Sequence, residues 1–158
     1  MARAQRDPDR LRGFRVPLFN IWLGGFTKSR SFVTLIYLAM LADGYDAPEE
    51  REEVFALLDR ARTLRDLPHT KVQRLLETTV REARNTPHLQ LVEKASRRFR
   101  GRTQLAKSVF MHAADILLAD RALVESEERF IEQLAFYLQI DTKEGKRLFE
   151  TLQIKNRH

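Results

Sequence analysis

A chain of 158 residues with 43% hydrophobic and 32% charged residues, and few Pro and Gly, excludes disorder throughout and is long enough for one core burying about 70% of the surface exposed by the unfolded form. The absence of cysteine excludes a disulfide framework, a thiolate metal site and a cysteine nucleophile, and agrees with a reducing compartment. A formal net charge of +6 and a pI near 10.0 admit anionic partners such as nucleic acid or a lipid surface.

Residues 1–28 form a basic arm followed by a short apolar segment. Arg3, Arg6, Arg10, Arg12 and Arg15 precede an apolar piece that contains Phe19, Trp22 and Phe26. Such a piece packs on or near the domain, or lies with its arginines on an anionic surface. It is interrupted by Asn20 and leads to no small-residue cleavage site, so it does not read as a signal peptide. The longest apolar run, from Phe32 to Ala42, stops at Asp43, well short of the roughly 18 to 20 residues that span a bilayer. The expectation is a soluble, cytoplasmic protein.

A helical domain is expected over 29–158. From Ser29 the apolar positions Phe32, Val33, Leu35, Ile36, Leu38, Ala39, Met40 and Leu41 cover nearly every side of a helix, which predicts a buried central one. Gly44 supplies a left-handed stop. Asp46 is expected to cap the next helix in a capping box with Glu49, Pro48 lying in the first turn. Val54, Leu57, Leu58 and Ala61 then mark one apolar face. Leu67-Pro68 breaks the pattern, and Val72, Leu75, Leu76 and Val80 carry a third helix that ends at Asn85. A short segment through Leu89, Val92 and Ala95 follows. It leads into a basic patch of Arg97, Arg98, Arg100 and Arg102 around Gly101, with Lys107 beyond.

The second half replays the first. An ungapped offset of 77 places Phe110 on Val33, Ala113 on Ile36 and Asp120 on Asp43. It also places Glu127 on Glu50, Ile131 on Val54 and Leu134 on Leu57. The last helix is expected to begin at Asp141, with Glu144 as its capping partner. Repeat units at about 29–84 and 103–154, with no stretch of period two, predict an all-α fold: a bundle of three-helix units in pseudo-twofold arrangement.

The repeated element is Leu-Ala-Asp at a helix end with a Glu seven positions after the Asp: Asp43 and Glu50, then Asp120 and Glu127. A carboxylate at a helix C-terminus opposes the last carbonyls by about 0.3–1 kcal/mol. Either the aspartates accept hydrogen bonds from the N–H groups opening the next helix and brace the hairpins, or the four carboxylates gather around a hard divalent cation, Ca²⁺, Mg²⁺ or Mn²⁺. The ligand spacing of an EF-hand is absent. His112 and Asp115 share a helix face, where a lone histidine reads first as a core or boundary residue. No phosphate loop or nucleophile elbow appears, so catalysis is not expected.

Leu41-Ala42-Asp43-Gly44 before a Pro48-Glu49-Glu50 helix start, and residues 114–120 before Ser126-Glu127-Glu128-Arg129-Phe130-Ile131, resemble the TerB family of tellurite-resistance proteins. The central domain of DjlA-type membrane co-chaperones is similar. The likeness runs from about Phe32 to Leu152, and Arg121 stands where the family commonly has Gly. The resemblance implies a compact all-α fold of about seven helices and a divalent-metal site on the acidic residues Asp43, Glu50, Asp120 and Glu127. It also implies a non-enzymatic role in a stress or metal response with a protein partner, at the inner face of the membrane. The alternative function is a basic adaptor holding nucleic acid or an anionic membrane through Arg97, Arg98, Arg100 and Arg102.

Overall fold

The computed structural model describes residues 26–119 and 123–157. In chain order its helices are α1 (Lys28–Met40), α2 (Pro48–Arg60), α3 (His69–Asn85), α4 (His88–Ser96), α5 (Thr103–Leu117), α6 (Glu125–Tyr137) and α7 (Thr142–Lys155). A 3₁₀ turn at Leu41–Asp43 continues α1. Among the described residues there is no strand, and the order of three helices, one short helix and three helices agrees with the all-α expectation.

α1 is the axis of the fold. Thr27 accepts a hydrogen bond from the Arg30 N–H and opens the helix one residue before Ser29. All ten residues from Ser31 to Met40 are buried, as a helix apolar on every side requires. It packs against α2, α3, α4, α5 and α6, whereas α7 lies on α5 and α6. Its buried length carries three hydroxyls, those of Ser31, Thr34 and Tyr37. Thr34 meets Thr79 of α3 hydroxyl to hydroxyl at 3.3 Å, which satisfies one group on each helix inside the core.

The outer helices bury stripes. On α3, Val72, Leu76, Thr79, Val80 and Ala83 face inward at helical spacing. On α5 the inward set is Ala106, Val109, Phe110, Ala113, Ala114 and Leu117. Phe99 has no exposed surface and plugs the turn between α4 and α5, where Gly101 takes φ +72°. His112 is a boundary residue: its Nδ1 lies 2.7 Å from the Ser108 carbonyl, and its ring meets Phe32 edge-on at 5.5 Å. No helix among the described residues is long and apolar enough to cross a membrane.

Two expected caps are corrected. Ala47, not Asp46, is the N-cap of α2, and no side chain caps that helix. Asp46 instead accepts from the Tyr37 hydroxyl, which draws its carboxylate toward α1 and away from the free N–H groups of α2. At α7, Asp141 does cap, accepting from the Lys143 and Glu144 N–H groups. Glu144 does not complete the box, because its carboxylate pairs with Lys107 of α5 at 2.7 Å. The hydrogen bond from Lys107 holds the Glu144 carboxyl below the usual carboxylate range.

The α6–α7 connection is a Schellman turn in which Ile140 N–H donates to the Ala135 carbonyl and Gln139 N–H to that of Phe136. Its left-handed position, φ 59°, is occupied by Gln139 where glycine carries no steric cost. Gln139→Gly is therefore expected to raise the free energy of unfolding by about 0.5–1 kcal/mol, read from the urea midpoint at unchanged slope. A loss of stability would show that the Gln139 side chain holds the turn.

Candidate functional site

The first acidic turn is built on the end of the buried helix. After Leu41, which is buried, the chain tightens into the 3₁₀ turn and leaves it at Gly44 with φ +91°, a conformation that disfavours any residue with a Cβ. Asp43 is exposed and folds back locally, its Oδ1 accepting from the Tyr45 N–H at 2.9 Å. The expected brace to the start of α2 is thus replaced by an Asx turn inside the loop, three residues short of that helix. Glu50 lies in the first turn of α2, and its Oε2 is shielded from solvent with no hydrogen-bond partner among the described residues.

In the second turn, Asp120 and Arg121 lie outside the described residues. Glu127 sits in the first turn of α6 and turns back to accept from the Val124 N–H at 2.8 Å, capping its own helix. Glu125 pairs with Arg129 one turn on, at 2.6 Å. The 3₁₀ turn bearing Asp43 packs against α6, so the first acidic turn and the second acidic helix are neighbours. Among the described residues no three carboxylate or imidazole groups converge as metal ligands. Asp43, Glu50 and Glu127 thus do not by themselves form a three-ligand cage, although the orphaned Glu50 oxygen has the chemistry of a hard-cation ligand.

The basic patch is largely consumed by the fold. Arg97 pairs with Glu93 at 2.6 Å on the last turn of α4. Arg98 donates through Nε to the Phe26 carbonyl, and Arg100 donates to the Tyr137 carbonyl at the end of α6. Arg102 is exposed where α5 begins. Arg98 and Arg100 therefore act as struts to the α4–α5 turn. The segment 1–25, with its arginines, lies outside the described residues. Phe26, which follows that segment and ends the apolar piece, packs on the core and lies under the Arg30 guanidinium at 4.5 Å.

A polar cluster that the sequence does not announce stands beside the first acidic turn. Tyr37, only 1% exposed in the middle of α1, donates to Asp46 Oδ1 at 3.1 Å. Arg51 of α2 approaches the same oxygen at 2.8 Å, and Arg84 of α3 reaches the other at 3.9 Å. Asp46 thereby ties the loop to the core and gathers an arginine from each flanking helix. The signal available in the sequence was a single hydroxyl-bearing aromatic within an otherwise apolar helix, nine residues before an aspartate. On α5, Asp115 is occupied by Lys155 and Asn156 of the C-terminal helix region. His69 pairs with Asp59 across the α2–α3 connection.

The family model described as tellurite resistance protein TerB matches residues 29–149. No curated protein and no solved structure matches the chain.

Proposed function

The chain belongs to the TerB tellurite-resistance family, and from that premise we propose that it is a non-enzymatic binding module of a metal or tellurite-type stress response. In this reading its first acidic turn takes a divalent cation. The observation that carries the reading is the Glu50 Oε2 atom, shielded from solvent and given no donor by the described residues. Leaving a carboxylate oxygen unpaired is costly, and a cation or its bound water restores the lost interaction. Asp43 Oδ1 holds the Tyr45 N–H, and no described residue is bonded to its Oδ2. A cation engaged by one or two carboxylates retains several waters, as Mg²⁺ commonly does, so the absence of a three-residue cage among the described residues is compatible with weak, exchangeable binding. Asp120 is the further ligand this reading assigns from the second turn, whereas Glu127 is engaged as a helix cap.

Calorimetric titration of Ca²⁺, Mg²⁺ and Mn²⁺ into chelator-treated protein is expected to give saturable heats that Glu50→Gln and the Asp43→Asn, Asp120→Asn pair abolish. The helical signal and melting midpoint of the ion-free variants should stay close to those of the parent. Absence of heat with every ion would overturn the cation reading and leave the carboxylates as turn and cap residues. Phosphatase or peptidase turnover with Mn²⁺ would overturn its non-enzymatic part.

A further inference from the structure

A groove of about 640 Å³ runs between α2 and α3, on ground that the cation reading does not use. Its apolar lining is Phe55, Leu76 and Val80, the last two only 7% and 8% exposed. Arg51, Arg81 and Arg84 stand along it. Arg51 is engaged by Asp46, but Arg84 is 62% exposed and touches Asp46 only at 3.9 Å. Arg81 is exposed, and its guanidinium makes no ion pair or hydrogen bond with the described residues. Two guanidinium groups are therefore available beside a recessed apolar strip, with Asp46 presetting the position of the third.

The shape and the charge select among occupants. A membrane surface is met by apolar side chains that protrude, yet none of the large exposed ones, Tyr45, Leu89, Val124, Phe136 and Ile154, lines this groove. A recessed strip instead accepts side chains inserted from a partner. A nucleic-acid backbone carries a phosphate at every step and so meets Glu52 and Glu77 as well as the arginines, whereas a helix can set its carboxylates beside Arg81 and Arg84 alone. The chain's own residues 1–25 carry arginines of the same sign as Arg81 and Arg84. An amphipathic helix with carboxylates flanking its apolar stripe satisfies both features at once, bidentate pairing to Arg included.

We propose that the α2–α3 groove docks an acidic amphipathic helix of a partner protein, with its apolar side chains on Phe55, Leu76 and Val80 and its carboxylates on Arg81 and Arg84. The site uses none of Asp43, Glu50, Asp120 and Glu127, although Asp46 of the first turn touches its Arg51 and Arg84.

Two synthetic helices sharing one leucine pattern, one flanked by Glu and one by Lys, serve as probes in fluorescence anisotropy against the full chain. The Glu helix is expected to bind saturably and the Lys helix not. In the Arg81→Glu, Arg84→Glu variant, with its fold checked by helical signal and melting midpoint, affinity for the Glu helix should fall by about tenfold or more while the Lys helix begins to bind. Failure of the Glu helix to bind the parent chain, or binding indifferent to the charge reversal, overturns the proposal. Phosphatidylserine vesicles or duplex DNA that bind through these arginines when the Glu helix does not would also overturn it.

Discussion

Phe32→Ala is expected to lower the free energy of unfolding by about 3–5 kcal/mol, a large part of the 5–15 kcal/mol typical of a single domain. Phe32 has no exposed surface and lies on α1, the helix that packs against five others. Its ring meets the His112 ring of α5 edge-on at 5.5 Å, so truncation opens a void between the two most buried helices and removes an aromatic contact. Because the surroundings of α1 are closed on every side, they can collapse only partly into that void. Phe32→Leu should cost much less, since it keeps most of the volume. Urea unfolding of the three proteins measures the series. A loss below about 1 kcal/mol for the alanine variant would mean that α1 is not packed as described.

Tyr37 gives the second large effect, and it depends on pH. Burial first, then the charge of Asp46 and the hydrogen bond to it, push the phenol from 10.0 up to about 12, against the opposing pull of Arg51 and Arg84. The native state therefore favours the protonated phenol. Its contribution to stability is complete below pH 10, the unfolded value, and is lost as pH rises through about 12. At about 1.4 kcal/mol per unit, the stability of the parent relative to Tyr37→Phe should fall by about 1.4 kcal/mol near pH 11 and by about 3 kcal/mol once the native phenol has ionised, so that the order of the two proteins reverses. Below pH 10 the gap itself should be about 1 kcal/mol, the worth of one hydrogen bond whose acceptor water can partly reach. Unfolding curves for both proteins at several alkaline pH values test this. A gap that stays constant with pH would remove the Tyr37–Asp46 bond as the cause.

The two acidic turns that one sequence register aligns are built by different means. The first rests on a left-handed Gly44, an Asx turn at Asp43 and the Tyr37–Asp46 tie. The offset that pairs Asp43 with Asp120 pairs Tyr37 with Ala114 and Asp46 with Leu123, so the second turn lacks that tie. There Glu127 holds the Val124 N–H instead. The first turn is the one whose loop is fixed to the core and whose Glu50 oxygen has no partner among the described residues.

The sequence by itself determined the elements whose physics is local or periodic. A run apolar on all sides made α1 the buried axis, stripes at helical spacing marked the inward faces of α3 and α6, and Gly44, Pro48 and Asp141 set ends that the helices observe. The short doubled motif was enough to point to the family. Only tertiary structure decided where the polar side chains go, because a carboxylate or guanidinium takes whichever partner the packing of distant helices brings near. Asp46 left the cap of α2 for Tyr37, Glu144 left the cap of α7 for Lys107, and Arg98 and Arg100 turned from a presumed ligand surface to carbonyls of residues far away in the chain. The α2–α3 groove, with the Arg81 guanidinium beside it, likewise exists only once those two helices lie side by side.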